Sequence, residues 1–373
     1  MSIVSEIERI NTNIANTYAA AENKGATITG ERNSDNLANV VISIPTGGDM
    51  SAYFTDTISA GTSSASGLIK ALKTIPIIPI NGTSTSYMFY KCLGLETIPL
   101  LDTSNVTNMS YMFSGCSKLE SVPLLNTSKA TTMNSMFIDC INLNSIPLLD
   151  TSRVTDFSNV FNNCPKLETI PQLNTSKATN ISSLFYNCTG LKSIPLISLG
   201  TATSIGGMFY GCTGLETIPL LDTSKITGMS TAFAYSGLKS IPELNTSNVT
   251  NMTSTFNSAT KLETIPLLDM GKVNNAFNMT YQTTGLINLG GFKDLGKAYT
   301  VRTTNNSNYA IKLNNSNNLT HDSLMNVINN LYDLNVSYGG TAVVQQLILG
   351  ATNIAKLTSD EIAIATNKGW TVS

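Results

Sequence analysis

The sequence predicts a repeat solenoid, a chain wound into about nine short coils with a parallel sheet along one face. Three spacings predict it. Proline falls at 76, 99, 123, 147, 171, 195, 219, 242 and 266, cysteine at 92, 116, 140, 164, 188 and 212, and phenylalanine at 113, 137, 161, 185, 209 and 233. Nine of the twelve prolines and all six cysteines therefore hold single positions of a 23–24-residue unit. Self-similarity at such a period marks stacked units, none of which can bury its apolar face alone.

Each element of the unit has a local cause. Counting from Leu95, Leu119, Leu143, Leu167, Leu191, Leu215, Leu238 and Leu262, apolar residues dominate positions 1, 4, 7, 12, 15 and 19. That spacing is neither 2 nor 3.6, as expected of a coil holding one short strand, a turn and one helical turn. Position 4 is β-branched at Ile98, Val122 and Ile146, and a proline at position 5 cannot donate to a ladder. Positions 1–5 are thus predicted as strand ending at the proline. Asp102, Asn126 and Asp150, each followed by Thr-Ser, supply acceptors for a turn. Thr107, Thr131 and Thr155 are N-cap candidates for a short helix or 3-10 turn through Met112 and Phe113.

The flanks read differently. Ile3, Ile7, Ile10 and Ile14 step by 4, 3 and 4, a two-heptad apolar seam. Isoleucine at both seam positions favours three strands or more, so a homo-trimer through this helix is one expectation, and a helix packed on the first coil is the other. At the far end Leu324, Val327, Ile328 and Leu331 have helical spacing, Leu347-Ile-Leu349 reads as strand, and Thr358-Ser-Asp-Glu361 is a capping box opening a helix through Ala365. The resulting division is a helical N-terminal attachment region at 1–50, a linker at 51–71, the solenoid at 72–300 and an α/β C-terminal cap at 301–373.

Composition narrows the function. Charged residues are 12% of the 373 and the net charge is −2, so the basic footprint of phosphate-backbone binding is missing and nucleic acid is not an expected partner. No basic segment followed by an apolar run opens the chain, no 18-residue apolar stretch occurs, and no hydrophobic anchor tail is seen. Membrane insertion is not expected. The six cysteines are spaced by whole coils, which places them along a line instead of around a point, so a tetrahedral metal site is not expected. Neighbouring coils would allow disulfide distances but seldom the torsion, which leaves a buried column of thiols with a packing role at Cys116, Cys140, Cys164, Cys188 and Cys212. Phe113, Phe137, Phe161, Phe185, Phe209 and Phe233 are predicted as a stacked core.

His321, the single histidine, has no nucleophile motif beside it and reads as a first-turn helix residue. Glu96, Glu120, Glu168, Glu216 and Glu263 share position 2, with Lys118, Lys166 and Lys261 two residues ahead of three of them, and read as exposed ion pairs. No catalytic residue and no cofactor is predicted. The candidate binding residues are the hydroxyl column at position 3, namely Thr97, Ser121, Ser145, Thr169, Ser193, Thr217, Ser240 and Thr264. Alternation turns them outward, where they either bind a periodic polymer or merely tolerate solvent on a parallel strand. Tyr90, Tyr186 and Tyr210, at position 20, are candidates for stacking on sugar rings.

The run Leu101-Asp-Thr-Ser-Asn-Val-Thr-Asn-Met-Ser-Tyr-Met-Phe-Ser-Gly-Cys116, echoed at Asn248-Val-Thr-Asn-Met252, resembles the repeat of the BspA-like bacterial surface leucine-rich-repeat proteins. The resemblance covers about 60% of the chain. It implies a leucine-rich-repeat solenoid, right-handed, displayed outside a cell or on a virion and used for adhesion. Departures at Ser236, Ala259 and Asp269-Met-Gly271 imply that the array degenerates near 270–300. Glu6-Ile-Glu-Arg-Ile-Asn11, Asn33-Ser-Asp-Asn-Leu-Ala38 and Ile44-Pro45 are similar to the N-terminal regions of tail and minor structural proteins from phages of Gram-positive hosts. That similarity implies a non-enzymatic tail or baseplate component, assembled in the host cytoplasm, with other tail proteins and a host-surface glycan or protein as partners. The alternative is a bacterial cell-surface adhesin of the same repeat.

Overall fold

The structure, a computed structural model, describes residues 27–29, 41–43, 80, 82–298, 311–335 and 345–373. The seam Ile3, Ile7, Ile10 and Ile14, the linker at 51–71 and Pro76 lie outside the described residues. The chain divides into two compact units, Met1–Lys177 and Ala178–Ser373.

In the first unit β1 (Thr27–Thr29) pairs antiparallel with β2 (Val41–Ser43). The coils stack in parallel: Ser84, Asn108, Thr132 and Asp156, all at position 14, bridge one to the next. Around this row the backbone divides its N–H groups between two destinations. Met109, Tyr111, Phe113 and Gly115 donate to the carbonyls of Thr132, Asn134, Met136 and Ile138 in the following coil, at 2.7–3.1 Å. Met112, Ser114 and Cys116 donate three residues back, to Met109, Tyr111 and Phe113, at 3.0–3.2 Å. Tyr111 and Gly115 are the third residues of two of these turns and carry φ of 57° and 75°, the mark of type II turns.

This corrects the expected short helix or 3-10 turn through Met112 and Phe113. A left-handed residue at positions 17 and 21 interrupts right-handed winding, and the alternate N–H groups released from the coil bind its neighbour instead. Ser135 and Asp139, then Asn159 and Asn163, repeat the pair. The threonines do not cap helices either. Thr107, Thr131 and Thr155 donate their hydroxyls to the carbonyl of the equivalent threonine one coil back, at 3.1–3.2 Å.

The core is columnar. Phe89, Phe113, Phe137 and Phe161 stack with ring centroids 5.5–5.9 Å apart and are buried, an offset contact that adds to their burial. Leu95, Leu119, Leu143 and Leu167 form a second fully buried column.

The second unit repeats the scheme. Ser204, Gly228, Asn251 and Asn275 bridge in parallel, and Phe185, Phe209, Phe233 and Phe256 stack at 5.7–5.9 Å. Here the predicted strand at the head of the coil does form, but late. β3 (Thr264–Ile265) pairs in parallel with β5 (Asn288–Leu289), and β4 (Leu268–Asp269) with β6 (Phe292–Lys293). Gly290 explains the place. It stands where other coils have proline, and its N–H donates to the Ile265 carbonyl at 2.9 Å, a bond that proline cannot make. In the first unit positions 1–5 carry no assigned strand among the described residues, because each coil's proline withdraws that donor.

Beyond the coils come β7 (Ile311–Lys312), α1 (His321–Asn330), β8 (Gln345–Ile348), α2 (Ala351–Ile354), α3 (Ser359–Asn367) and β9 (Trp370–Val372). β7, β8 and β9 form a parallel sheet in that order. Thr320 caps α1, and Thr358 with Glu361 forms the capping box of α3. Leu324, Val327 and Ile328 bury the inner face of α1. Ser323 of α1 accepts the Leu289 N–H and donates to the Ile287 carbonyl, both at 3.0 Å, and the Asn326 amide donates to the Leu289 carbonyl at 3.2 Å. The helix thereby satisfies the groups on β5 that a further coil would have engaged.

Candidate recognition face

The outward face at the head of each coil is set by the alternation of extended backbone. Position 4 is buried at Ile98, Val122 and Ile146, and the position-3 residues Thr97, Ser121, Ser145, Thr169, Ser193, Thr217 and Ser240 are exposed, with Thr264 half-buried. Next to this column lies one that sequence reasoning missed. Leu100, Leu124 and Leu148 in the first unit are 66%, 61% and 64% exposed, and Leu196, Leu220 and Leu267 in the second are 63%, 62% and 47% exposed. The signal was the repeated Pro-Leu-Leu: two adjacent leucines on extended chain face opposite sides, so one of each pair must meet solvent. Its neighbour, Leu101, Leu125 or Leu149, is buried.

Position 8 closes the face. The Ser104 N–H donates to Asp102 Oδ1 and the Ser152 N–H to Asp150 Oδ1, both at 3.0 Å. The Ser104 hydroxyl and N–H hold the Asp102 carboxyl below the usual carboxylate range, and the Ser152 N–H and hydroxyl do the same for Asp150. Both are anionic at neutral pH. On the far side, Glu216 pairs with Lys239 of the next coil at 2.8 Å. That pair holds the Glu216 carboxyl down and the Lys239 amine up. Being exposed, it contributes little to stability.

The tyrosines are brought together, but with each other. Tyr186 and Tyr210 stack at 4.3 Å and 3°, and Tyr235 leans on Tyr210 at 5.2 Å. Tyr87 and Tyr111 stack at 4.6 Å, with Tyr90 edge-on to Tyr87 at 5.5 Å and Lys91 Nζ 5.1 Å over the Tyr90 ring. Tyr186 and Tyr210 each give one ring face to the other, so the sugar-stacking role considered for position 20 falls to their remaining faces. Burial and these neighbours raise the Tyr87 and Tyr210 hydroxyls above the usual phenol range.

The cysteines are buried thiols. Cys116, Cys140, Cys164 and Cys212 donate to the carbonyls of Phe89, Phe113, Phe137 and Phe185 at 3.0–3.1 Å. Burial pushes the thiols of Cys116, Cys140 and Cys212 well up. Among the described residues no group of three or more His, Cys, Asp or Glu is placed to hold a metal ion, and no helix is long and apolar enough to cross a membrane. His321 opens α1 with Nε2 2.9 Å from Glu361 Oε1 and Nδ1 3.6 Å from Asp322, an arrangement that ties the first turns of α1 and α3.

Coils of 23–24 residues, bridged in parallel around a first-position leucine column, define a leucine-rich-repeat type of protein. The chain belongs to the family described as "Mycoplasma protein of unknown function, DUF285", whose model matches residues 83–197 and 203–321. Solved structures similar to it are bacterial leucine-rich-repeat proteins. One from Bacteroides ovatus is 17% identical, with 80% of this chain and 91% of that one covered and a TM-score of 0.39. One from T. pallidum is 23% identical over 40% and 69% of the two chains, with a TM-score of 0.33. A third, from Leptospira interrogans, is 11% identical over 85% and 93%, with a TM-score of 0.28. No curated protein matches the sequence.

Proposed function

We propose that the chain is a non-enzymatic recognition protein, an adhesin-type binder that displays the outward faces of its coils to a cell-surface polymer or protein. The observation that carries this reading is the exposed leucine column at position 6. Single exposed apolar residues are ordinary, whereas a regular row of them marks a surface kept for contact. The hydroxyls at position 3 lie two residues before the proline of each coil and add polar donors to the same face. A finer version places the protein on a virion, in a phage tail or baseplate. It rests on the sequence of residues 1–50 and, for the trimer, on the Ile3, Ile7, Ile10 and Ile14 seam.

Purified protein mixed with whole bacterial cells and, separately, with isolated wall polysaccharide tests the reading. Binding to cells is expected. Absence of binding across a panel of candidate host cells overturns it. Tail-fibre, baseplate or lysis genes beside this one support the virion version, and their absence counts against it.

A further inference from the structure

The turns of the second unit carry no charge. In a chain that is 12% charged, the segments 178–189, 202–213, 226–237, 249–260 and 273–284, positions 12–23 of five successive coils, hold no Asp, Glu, Lys, Arg or His. Every charge of these coils falls on positions 2, 6, 8, 11 and 24 instead. The same segments of the first unit contain Lys91, Asp139 and Asp156. From outside the segments Lys312 of β7 reaches the last of the five coils, where its Nζ donates to Asn278 Oδ1 at 3.2 Å and lies 5.4 Å over the Phe277 ring.

Tyrosine, amide and hydroxyl groups line this face. Tyr235 is 47% exposed, the most open aromatic ring among the described residues and the only large apolar side chain exposed in the five segments. Its own coil has Ala234 at position 20, where the two coils before it have Tyr186 and Tyr210. The Tyr235 ring leans from position 21 onto Tyr210 at a tilt of 53°, which with its exposure leaves one ring face in solvent. The next coil abuts it, for the Tyr235 N–H donates to the Asn257 carbonyl and the Ser258 N–H to the Tyr281 carbonyl, both at 2.8 Å. The Ser258 hydroxyl donates to Asn257 Oδ1 at 2.7 Å and to Gln282 Oε1 at 3.2 Å. One hydroxyl thus serves both amide oxygens, and both NH2 groups remain free to donate.

We propose that Tyr235, with Tyr210 behind it and the amides of Asn257 and Gln282 beside it, binds an uncharged polysaccharide. The proposal rests on the recognition reading and gives it a ligand class and a face. A sugar ring offers a face of C–H groups to an aromatic ring and a rim of hydroxyls to amide donors. A polymer laid along the coils passes Tyr235, Ser258 and Gln282 in turn, all at position 21 of stacked coils. A charged polymer finds no counter-charge here. A protein partner needs an apolar, desolvated centre, and one tyrosine without an exposed aliphatic neighbour does not supply it.

The repeat itself supplies substitutions that suit the backbone. Position 21 is left-handed, with φ of 56° at Tyr235, and Asn163 and Asn187 hold it in other coils. Serine holds position 20 at Ser114 and position 21 at Ser258. The experiment measures binding of the full chain to dextran, mannan and galactan, with dextran sulfate and polylysine alongside, at low and high salt, and to whole cells treated with periodate or trypsin. A neutral polymer is expected to bind with an affinity that salt leaves unchanged. Tyr235→Asn weakens it by about tenfold and Asn257→Ser/Gln282→Ser by a smaller factor, with thermal midpoints at the wild-type value. Periodate, which cleaves the vicinal diols of glycans, removes binding to cells, and trypsin spares it. Tighter binding of dextran sulfate or polylysine, loss of binding in high salt, or undiminished binding of Tyr235→Asn to polymer or cells overturns the proposal. Cell binding that trypsin removes and periodate spares overturns it while the recognition reading stands. A neutral polymer bound, with no cell bound, overturns the recognition reading and leaves the site. No binding to either overturns both.

Discussion

Thr283 shows what the cysteine column does. It stands at the cysteine position of its coil, and its hydroxyl donates to the Phe256 carbonyl at 3.0 Å, the bond that Cys140 makes to Phe113 at 3.1 Å. The column needs a small buried donor for a phenylalanine carbonyl, and sulfur is one way to provide it. Cys140→Ala is therefore expected to cost about 1 kcal/mol by removing one of the two hydrogen bonds that the Phe113 carbonyl accepts, the other coming from the Cys116 N–H, and Cys140→Thr distinctly less; urea unfolding of the two variants compares them. Equal losses would mean that volume alone matters. Phe161, 1% exposed and stacked on Phe137, tests packing itself: Phe161→Ala is expected to cost about 3–5 kcal/mol in the same measurement.

At the scale of the element, the turn spiral from position 15 to 22 rests on left-handed residues that differ widely in chemistry. Tyr111, Ser135, Asn159 and Thr231 all occupy position 17 with φ of 55–57°. A β-branched residue is least suited to that region, so Thr231→Gly is expected to raise stability by about 1 kcal/mol after the entropic cost of glycine, read as an upward shift in the urea midpoint. At the C-terminal end, Lys368 Nζ donates to the carbonyls of Ile328 and Asn329 at 3.2 and 2.8 Å, where α1 ends. Lys368→Met is expected to cost about 1 kcal/mol and to speed amide hydrogen exchange in α1.

These elements mark where the sequence could and could not be read. Buried columns were legible because a packed position admits only apolar residues, and a period of 23–24 repeats that restriction. The helices at 321–330 and 359–367 were legible because their caps and apolar spacing are local. The turn spiral was not. Its left-handed positions follow from where neighbouring coils accept hydrogen bonds, and a glycine, asparagine or aspartate at some of them, such as Gly115, Asp139, Asn159, Asn163, Asn187, Gly207 and Gly211, hints at it through its own preference. Nor was the strand at the head of the coil, which needed the donor that Gly290 alone restores among those coil heads described. The exposed leucines could have been found, since no extended chain buries two adjacent side chains on one face.

For the whole molecule the thiols add up. Cys116, Cys140 and Cys212 are raised in the folded chain, whereas in the unfolded chain a thiol ionises near pH 8.5. Above that pH the unfolded state loses protons that the folded state keeps, so their contribution is complete below about pH 8.5 and is lost as pH rises further. Urea midpoints taken from pH 7 to pH 10 are expected to fall, and to fall less when the three cysteines are replaced by threonine. The native thiols are also expected to resist a thiol reagent that modifies them readily in urea.

One joint in the second unit bears on how such a chain changes length. The coil from Leu215 to Gly237 is one residue shorter than its neighbours, and a Cβ on Gly237 would fall 2.1 Å from the Thr213 carbonyl oxygen. The backbone passes this close to the preceding coil because it has no side chain there, and the Gly237 N–H still reaches the Cys212 carbonyl at 2.9 Å. Since half the N–H groups of each turn spiral find their acceptors in the next coil, an insertion elsewhere would misalign every bond after it. Genes of this kind are therefore free to gain or lose whole coils by in-frame recombination and have almost no tolerance for smaller steps, except where a glycine joint takes up the difference.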